Sequence, residues 1–314
     1  MIERRLLIHA VFLTLAPIIV AWLGLSVPAA ILLVIALLLW RWMVVLSGFA
    51  LPEKTPDLVL ATISVSHFVE KVRWSMDRLG VDYVEQTSGG ALGAFFCGRT
   101  VPQLKAWTGS VQSSIGNSAE ILRYLWGRYA VEDPEAAAFL EPTKDRVELE
   151  KRLDKYGVNL QVWVYYHLLH DRELTLRAWG VSNPETPFWQ RVLLRLLFPV
   201  LRFLIRKSFR ITDANYARAV SRIEELLSET NDWLEDGRKS LLGGEQLNYT
   251  DLAFAAMTGL WLMPQGYGGG KAEAVRIEPE RAPAGMRKDI EVWAAGYARV
   301  AGFVQRLYAE ERSS

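Results

Sequence analysis

An apolar run, Leu58 to Ile63 (LVLATI), passes through a short polar turn into Ser66 to Gly80 (SHFVEKVRWSMDRLG), and this change of period restricts the fold more than any other stretch. The run reads as a buried strand. After it, Val69, Val72, Met76 and Leu79 recur at spacings of three and four, one stripe of an amphipathic helix. A strand therefore feeds a helix. Ser64, Ser66 and His67 lie in the turn, where the first free N–H groups of the helix favour an anion.

Two later stretches narrow the reading. Thr100 to Leu104 (TVPQL) puts Pro102 at the head of a short strand, where a missing N–H is tolerated and a cis bond turns the backbone toward a ligand. Gly116 to Leu125 (GNSAEILRYL) opens a second helix. Asn117 followed three residues later by Glu120 has the form of a capping box, leaving the Ser118 N–H and hydroxyl at the positive end of that helix.

In order and spacing, SHFVEKVRW, TVPQL and NSAEILRYL resemble the thioredoxin-like domain of the glutathione transferase superfamily. The resemblance is clearest over Leu58–Leu125, reaches the C-terminus and leaves out the first fifty residues. It implies bound glutathione as co-substrate, an all-α second domain and frequent homodimers.

The front of the chain is of another kind. Leu6 to Leu25 holds twenty residues without a permanent charge, about 30 Å as a helix, and Val27 to Leu51 is interrupted only by Arg41. With only Ser26 between the runs, a transmembrane hairpin is expected, with spans of about 6–25 and 27–47 within residues 1–51. A signal peptide would have a shorter apolar core and a small-residue cleavage site. Arg4 and Arg5 favour a cytoplasmic start, so the expectation is an inner or plasma membrane protein whose soluble part faces the cytoplasm. The single cysteine, Cys97, excludes an internal disulfide and suits that compartment. His9, one turn inside the first span, is read as reaching the interface.

Pro52 to Asp57 is a polar linker, and the thioredoxin-like domain is expected over 57–129. Within it Asp82–Gln86 reads as a second strand and Ser88–Gly98 as a glycine-rich connector that no Gly-Lys-Ser/Thr converts into a phosphate loop. Gln103–Trp107 and Val111–Ile115 form a hairpin. From 134 to 314 the periodicity is helical, in Arg146–Asp171, Pro187–Phe209, Asp213–Asp236, Tyr249–Leu262 and Met286–Glu311. Leu247 to Leu252 (LNYTDL) combines an Asn248–Asp251 capping box with a hydrophobic staple and is similar to the buried capping motif of the family's second domain. The expected fold class is α+β: a transmembrane hairpin, a thioredoxin-like domain and an all-α domain.

A thiol near its ordinary pKa of ~8.5 is little ionised at neutral pH, so a transferase must stabilise the thiolate. One hydroxyl donor supplies about 1.5–3 kcal/mol, enough to lower that pKa by roughly one to two units. By the resemblance Ser66 occupies the position of the first redox cysteine, or of the serine of several transferase classes, with Val69 where a second cysteine would stand. A dithiol cycle is thereby excluded. The catalytic tyrosine of other classes is missing, Thr62 falling near its place. Ser64 is the alternative donor, and an N-cap is the other role open to Ser66. Val101 and cis Pro102 would meet the cysteinyl part of glutathione; Asn117 and Ser118 would hold the γ-glutamyl carboxylate, although Asn117 is not the commonest residue there.

Other residues carry weaker signals. His67 is either a proton carrier or packing at the helix start. His167 and His170, three apart, lack the spacing of a zinc helix, and no metal is expected. Trp163, Tyr165, Tyr166 and Trp179 line a cleft for an apolar co-substrate or belong to the core. Phe188 to Arg210 carries six positive charges and no negative one on an apolar background, which suits a membrane-interface helix kinked at Pro199, or an internal helix whose arginines meet acidic neighbours. With 36 basic and 35 acidic residues, the chain lacks the excess a nucleic-acid binder needs. The expected activity is conjugation of glutathione to apolar electrophiles, a detoxification chemistry. Glutathione-dependent peroxide reduction and a non-catalytic membrane scaffold remain the alternatives.

Overall fold

The computed structural model describes residues 23–24, 27–49, 57–90, 92, 101–108, 111–277 and 279–312. The chain divides into two compact units, one of 1–58 with 105–114 and one of 59–104 with 115–314.

In the first unit, Val27–Phe49 forms helix α1. The expected transmembrane hairpin is not supported. Its first arm, apart from residues 23–24, lies outside the described residues, as do Arg4, Arg5, His9 and Cys97. Its second arm corresponds to α1. Among the described residues no helix is long and apolar enough to cross a membrane.

Strand β1 (Asp57–Thr62) has all but its first residue buried, and helix α2 (His67–Arg78) connects it to β2 (Val84–Thr87). The two strands run parallel, Val59 opposite Val84 and Thr62 opposite Thr87, as a helical crossover requires. Strands β3 (Gln103–Thr108) and β4 (Val111–Gly116) are joined by two residues, so the start of β3 lies beside the end of β4. The sheet order is β2-β1-β3-β4. With α3 (Ser118–Tyr129) after β4, the arrangement fits the thioredoxin-like domain expected from the sequence.

The rest is helical, in keeping with an all-α part: α4 (Pro134–Ala137), α5 (Lys144–Leu168), α6 (Arg172–Ala178), α7 (Phe188–Leu196), α8 (Phe198–Ser208), α9 (Asp213–Trp233), α10 (Tyr249–Leu262), α11 (Ala284–Gly296) and α12 (Ala298–Glu310). Helix α10 is buried almost all round and packs against α2, α5 and α12, which explains its lack of a polar face. Its start is the expected capping box: the Asn248 side chain accepts from the Thr250 amide at 3.0 Å, and Asp251 accepts from the Asn248 amide at 2.8 Å.

Two helices expected as single are divided, and a third ends early. Pro199 lacks the N–H that would reach the Arg195 carbonyl, so the 187–209 segment breaks at Leu197. Asp171 caps a new helix by accepting from the Leu174 amide at 3.0 Å, ending the 146–171 segment early. The 286–311 segment breaks at Tyr297, and Asn231 of α9 accepts from the Arg299 amide at the new helix start.

Candidate active site

Ser66 sits at the end of the turn after β1, its extended backbone entering α2 as the N-cap. Its Oγ accepts from the Val69 amide at 3.4 Å, a long bond, and the residue is half-buried. Among the described residues nothing accepts from its hydroxyl. A hydroxyl has one proton and two lone pairs, so capping the helix and donating to an anion are compatible roles.

Ser64 is placed differently. It is buried, and its Oγ accepts from Asn183 Nδ2 at 2.7 Å, a partner 119 residues away and itself buried. Sequence reasoning missed Asn183, since nothing local ties the loop before α7 to this turn. A second brace comes from Tyr267, whose hydroxyl donates to the Val65 carbonyl at 3.2 Å. Gly268 beside it has φ +73°, and a Cβ there would lie 2.8 Å from the Ala272 Cβ. That close approach needs glycine.

The helix carrying Ser66 is held by buried charges. Lys71, fully buried, donates to Glu150 at 2.7 Å and Asp154 at 3.3 Å, and Arg123 also pairs with Glu150. Arg73 joins Glu70 at 3.0 Å and Glu85 at 2.7 Å, while Arg312 joins Glu70 and Asp77, each at 2.9 Å. Although burial opposes its ionisation, the bonds from Arg73, Lys271 and Thr62 bring the Glu85 carboxyl down to about 2. Each buried charge has a partner, which is the condition for keeping it there.

His67 is buried with no hydrogen-bond partner at Nε2, against Phe68 and Gly157. Burial pushes its pKa down to about 4, against a smaller opposite pull from the Gly157 backbone. It is neutral packing, an imidazole rather than an imidazolium at pH 7. Here the plainer of its two readings describes the side chain.

The Val101–Pro102 peptide bond is cis; Pro102 immediately precedes β3, and Asn117 immediately follows β4, its neighbour in the sheet. Asn117 has φ 70°, a left-handed value that asparagine tolerates, and its side chain accepts from the Ala119 amide at 3.0 Å. Ser118 follows as the first, buried residue of α3. The sheet order puts β1, which leads to Ser66, next to β3, which follows Pro102. The arrangement offers two helix N-termini and one hydroxyl proton, groups suited to a small anionic ligand.

Two further readings resolve. Trp163 and Trp179 are buried in the core. His167 Nε2 lies 3.1 Å from Asp289 Oδ2, which also accepts from Trp163 and Tyr216, a structural junction of α5, α9 and α11. Among the described residues no group of His, Cys, Asp and Glu is arranged to hold a metal.

No protein-family model matches the chain, and no curated protein matches it. Solved structures similar to it are glutathione transferases. One, a glutathione S-transferase from Methylobacterium radiotolerans in complex with glutathione sulfonate, is 17% identical with a TM-score of 0.47, over 82% of this chain and 92% of that one. A glutathione transferase family member from Pseudomonas fluorescens with two glutathione bound is 13% identical with a TM-score of 0.46, over 82% and 90%. Rice GST1 in complex with glutathione is 16% identical with a TM-score of 0.43, over 83% and 91%.

Proposed function

We propose that this chain binds glutathione and transfers it to apolar electrophiles while attached to a membrane. The observation that carries the reading is the free hydroxyl proton of Ser66 at the N-terminus of α2. Ser66 donates to the glutathione sulfur and favours the thiolate. The Val101 backbone meets the cysteinyl portion, and Ser118 at the start of α3, with Asn117, receives the γ-glutamyl carboxylate. The thiol proton passes to solvent, the sulfur lone pair forms the C–S bond, and the displaced electron pair leaves with the leaving group. In an addition that pair is taken up as a proton arrives from water.

Membrane attachment is supported by α1. Ile31, Leu32, Leu38, Leu39 and Trp42 are exposed apolar side chains around the helix, and lipid covers such a surface without a protein partner.

The test is calorimetric titration of glutathione into the full-length chain in detergent micelles. Ser118→Ala should weaken binding about tenfold or more, the loss of one charge-assisted hydrogen bond. No heat at glutathione concentrations of about 1 mM, from protein shown to be folded, overturns the reading. Binding without turnover of any electrophile would leave a glutathione-binding module.

A further inference from the structure

Helices α7 and α8 place exposed apolar side chains and unpaired cations side by side. One face of α8 is accounted for: Phe198, Leu201 and Ile205 pack with Trp179 and Leu194 in a buried cluster. On another, Val200, Phe203 and Leu204 recur at i, i+3 and i+4 and are 56%, 63% and 51% exposed. Phe188 and Leu196 of α7, 71% and 69% exposed, add to the apolar surface. Contiguous exposure on this scale marks an interaction surface.

The bordering charges are all of one sign. Arg202 and Arg206 lie one helical turn apart on α8, followed by Lys207 and then Arg210. Among the described residues none of these four is in an ion pair, so the alternative of arginines meeting acidic neighbours does not hold. A cleft of about 690 Å³ that includes Arg195 of α7 is lined also by Arg172, Arg177 and Arg281 against Asp171 and Glu173. Arg177 and Arg172 donate to the carbonyls of Arg276 and Arg195, contacts that orient a guanidinium without neutralising it.

An apolar stripe edged by cations matches a bilayer interface. Apolar side chains enter the acyl boundary while long basic side chains reach phosphate. We infer that α7 and α8 dock on a lipid surface bearing anionic phospholipid headgroups, with Val200, Phe203 and Leu204 inserted and Arg202, Arg206 and Lys207 at headgroup level. The inference depends neither on glutathione binding nor on α1.

The test reads depth at one residue, so attachment elsewhere in the chain does not confound it. A full-length Cys97→Ser, Phe203→Cys chain carrying a nitroxide is reconstituted in vesicles of phosphatidylcholine alone or with phosphatidylglycerol. Accessibility to oxygen and to a water-soluble nickel chelate is then measured, with Ser221→Cys on α9 as the exposed reference. On anionic vesicles the label at 203 should gain oxygen and lose nickel accessibility severalfold, while the label at 221 stays nickel-accessible. Reversing the half-buried Arg202 and the exposed Arg206 and Lys207 to Glu should abolish the shift. Nickel accessibility at 203 equal to that at 221 overturns the proposal. So does shielding from both reagents, as a protein interface gives, or a lipid depth unchanged by the reversal.

Discussion

The Oγ of Ser66 accepts from the Val69 amide at 3.4 Å, so the helix uses the acceptor side of this hydroxyl and leaves its proton unspent. The division has a measurable consequence. Ser66→Ala removes a long cap, worth about 0.5–1 kcal/mol of stability, and a thiolate donor worth more. We expect kcat/KM for conjugation near neutral pH to fall about 10- to 100-fold, with the bound thiol titrating about one to two units higher. A variant that loses only stability would leave Ser66 as a cap.

Ser64 should behave in the opposite way. Its Oγ is the acceptor for the buried Asn183 amide at 2.7 Å, and Ser64→Ala leaves that donor unsatisfied at a cost of about 1–3 kcal/mol. Unfolding midpoints should drop while the pH profile of conjugation holds its position. A profile shift matching that of Ser66→Ala would move the donor role to Ser64.

How much of this was legible follows from the range of each interaction. The strand–turn–helix at 58–80, the cis Pro102 and the Asn248–Asp251 box are local patterns, readable from neighbours in the chain. Asn117 shows only part of its expected box: it caps the Ala119 amide, while no bond returns from Glu120 among the described contacts. Glu70, Lys71 and Arg73 are charged residues outside the apolar stripe of α2, yet all are buried, because α10 and the 267–270 turn cover sides of α2 that periodicity leaves open. Their partners Glu150 and Arg312 lie 79 to 242 residues away, beyond any local signal.

That burial makes Lys71 a severe test of the packing. Glu150→Ala removes its 2.7 Å partner and a partner of Arg123, leaving Lys71 with Asp154 alone. Breaking a buried pair on one side costs about 3–5 kcal/mol, whereas replacing both members with apolar residues is often close to neutral. Lys71→Met with Glu150→Met should therefore recover much of the denaturant midpoint lost in Glu150→Ala. No recovery would mean that the network, beyond the pair, holds α2 in place.

His67 gives the fold a pH dependence of predictable sign. Its folded pKa of about 4 lies below the ordinary value of 6.5, so between these values the unfolded chain binds more protons than the folded one. The contribution is complete above pH 6.5 and is lost as the pH falls toward 4, about 3 kcal/mol across the window at ~1.36 kcal/mol per unit. Glu85 acts in the same direction at lower pH, from its ordinary 4.5 down to about 2, so the interval from 6.5 to 5 lies above its titration. Urea unfolding at pH 7 and pH 5 should show the native chain losing about 1–2 kcal/mol, and His67→Phe, which cannot be protonated, losing clearly less. Equal losses in the two would place the titrating group elsewhere, and the buried imidazole beside Gly157 would then be charged or open to water in the folded chain.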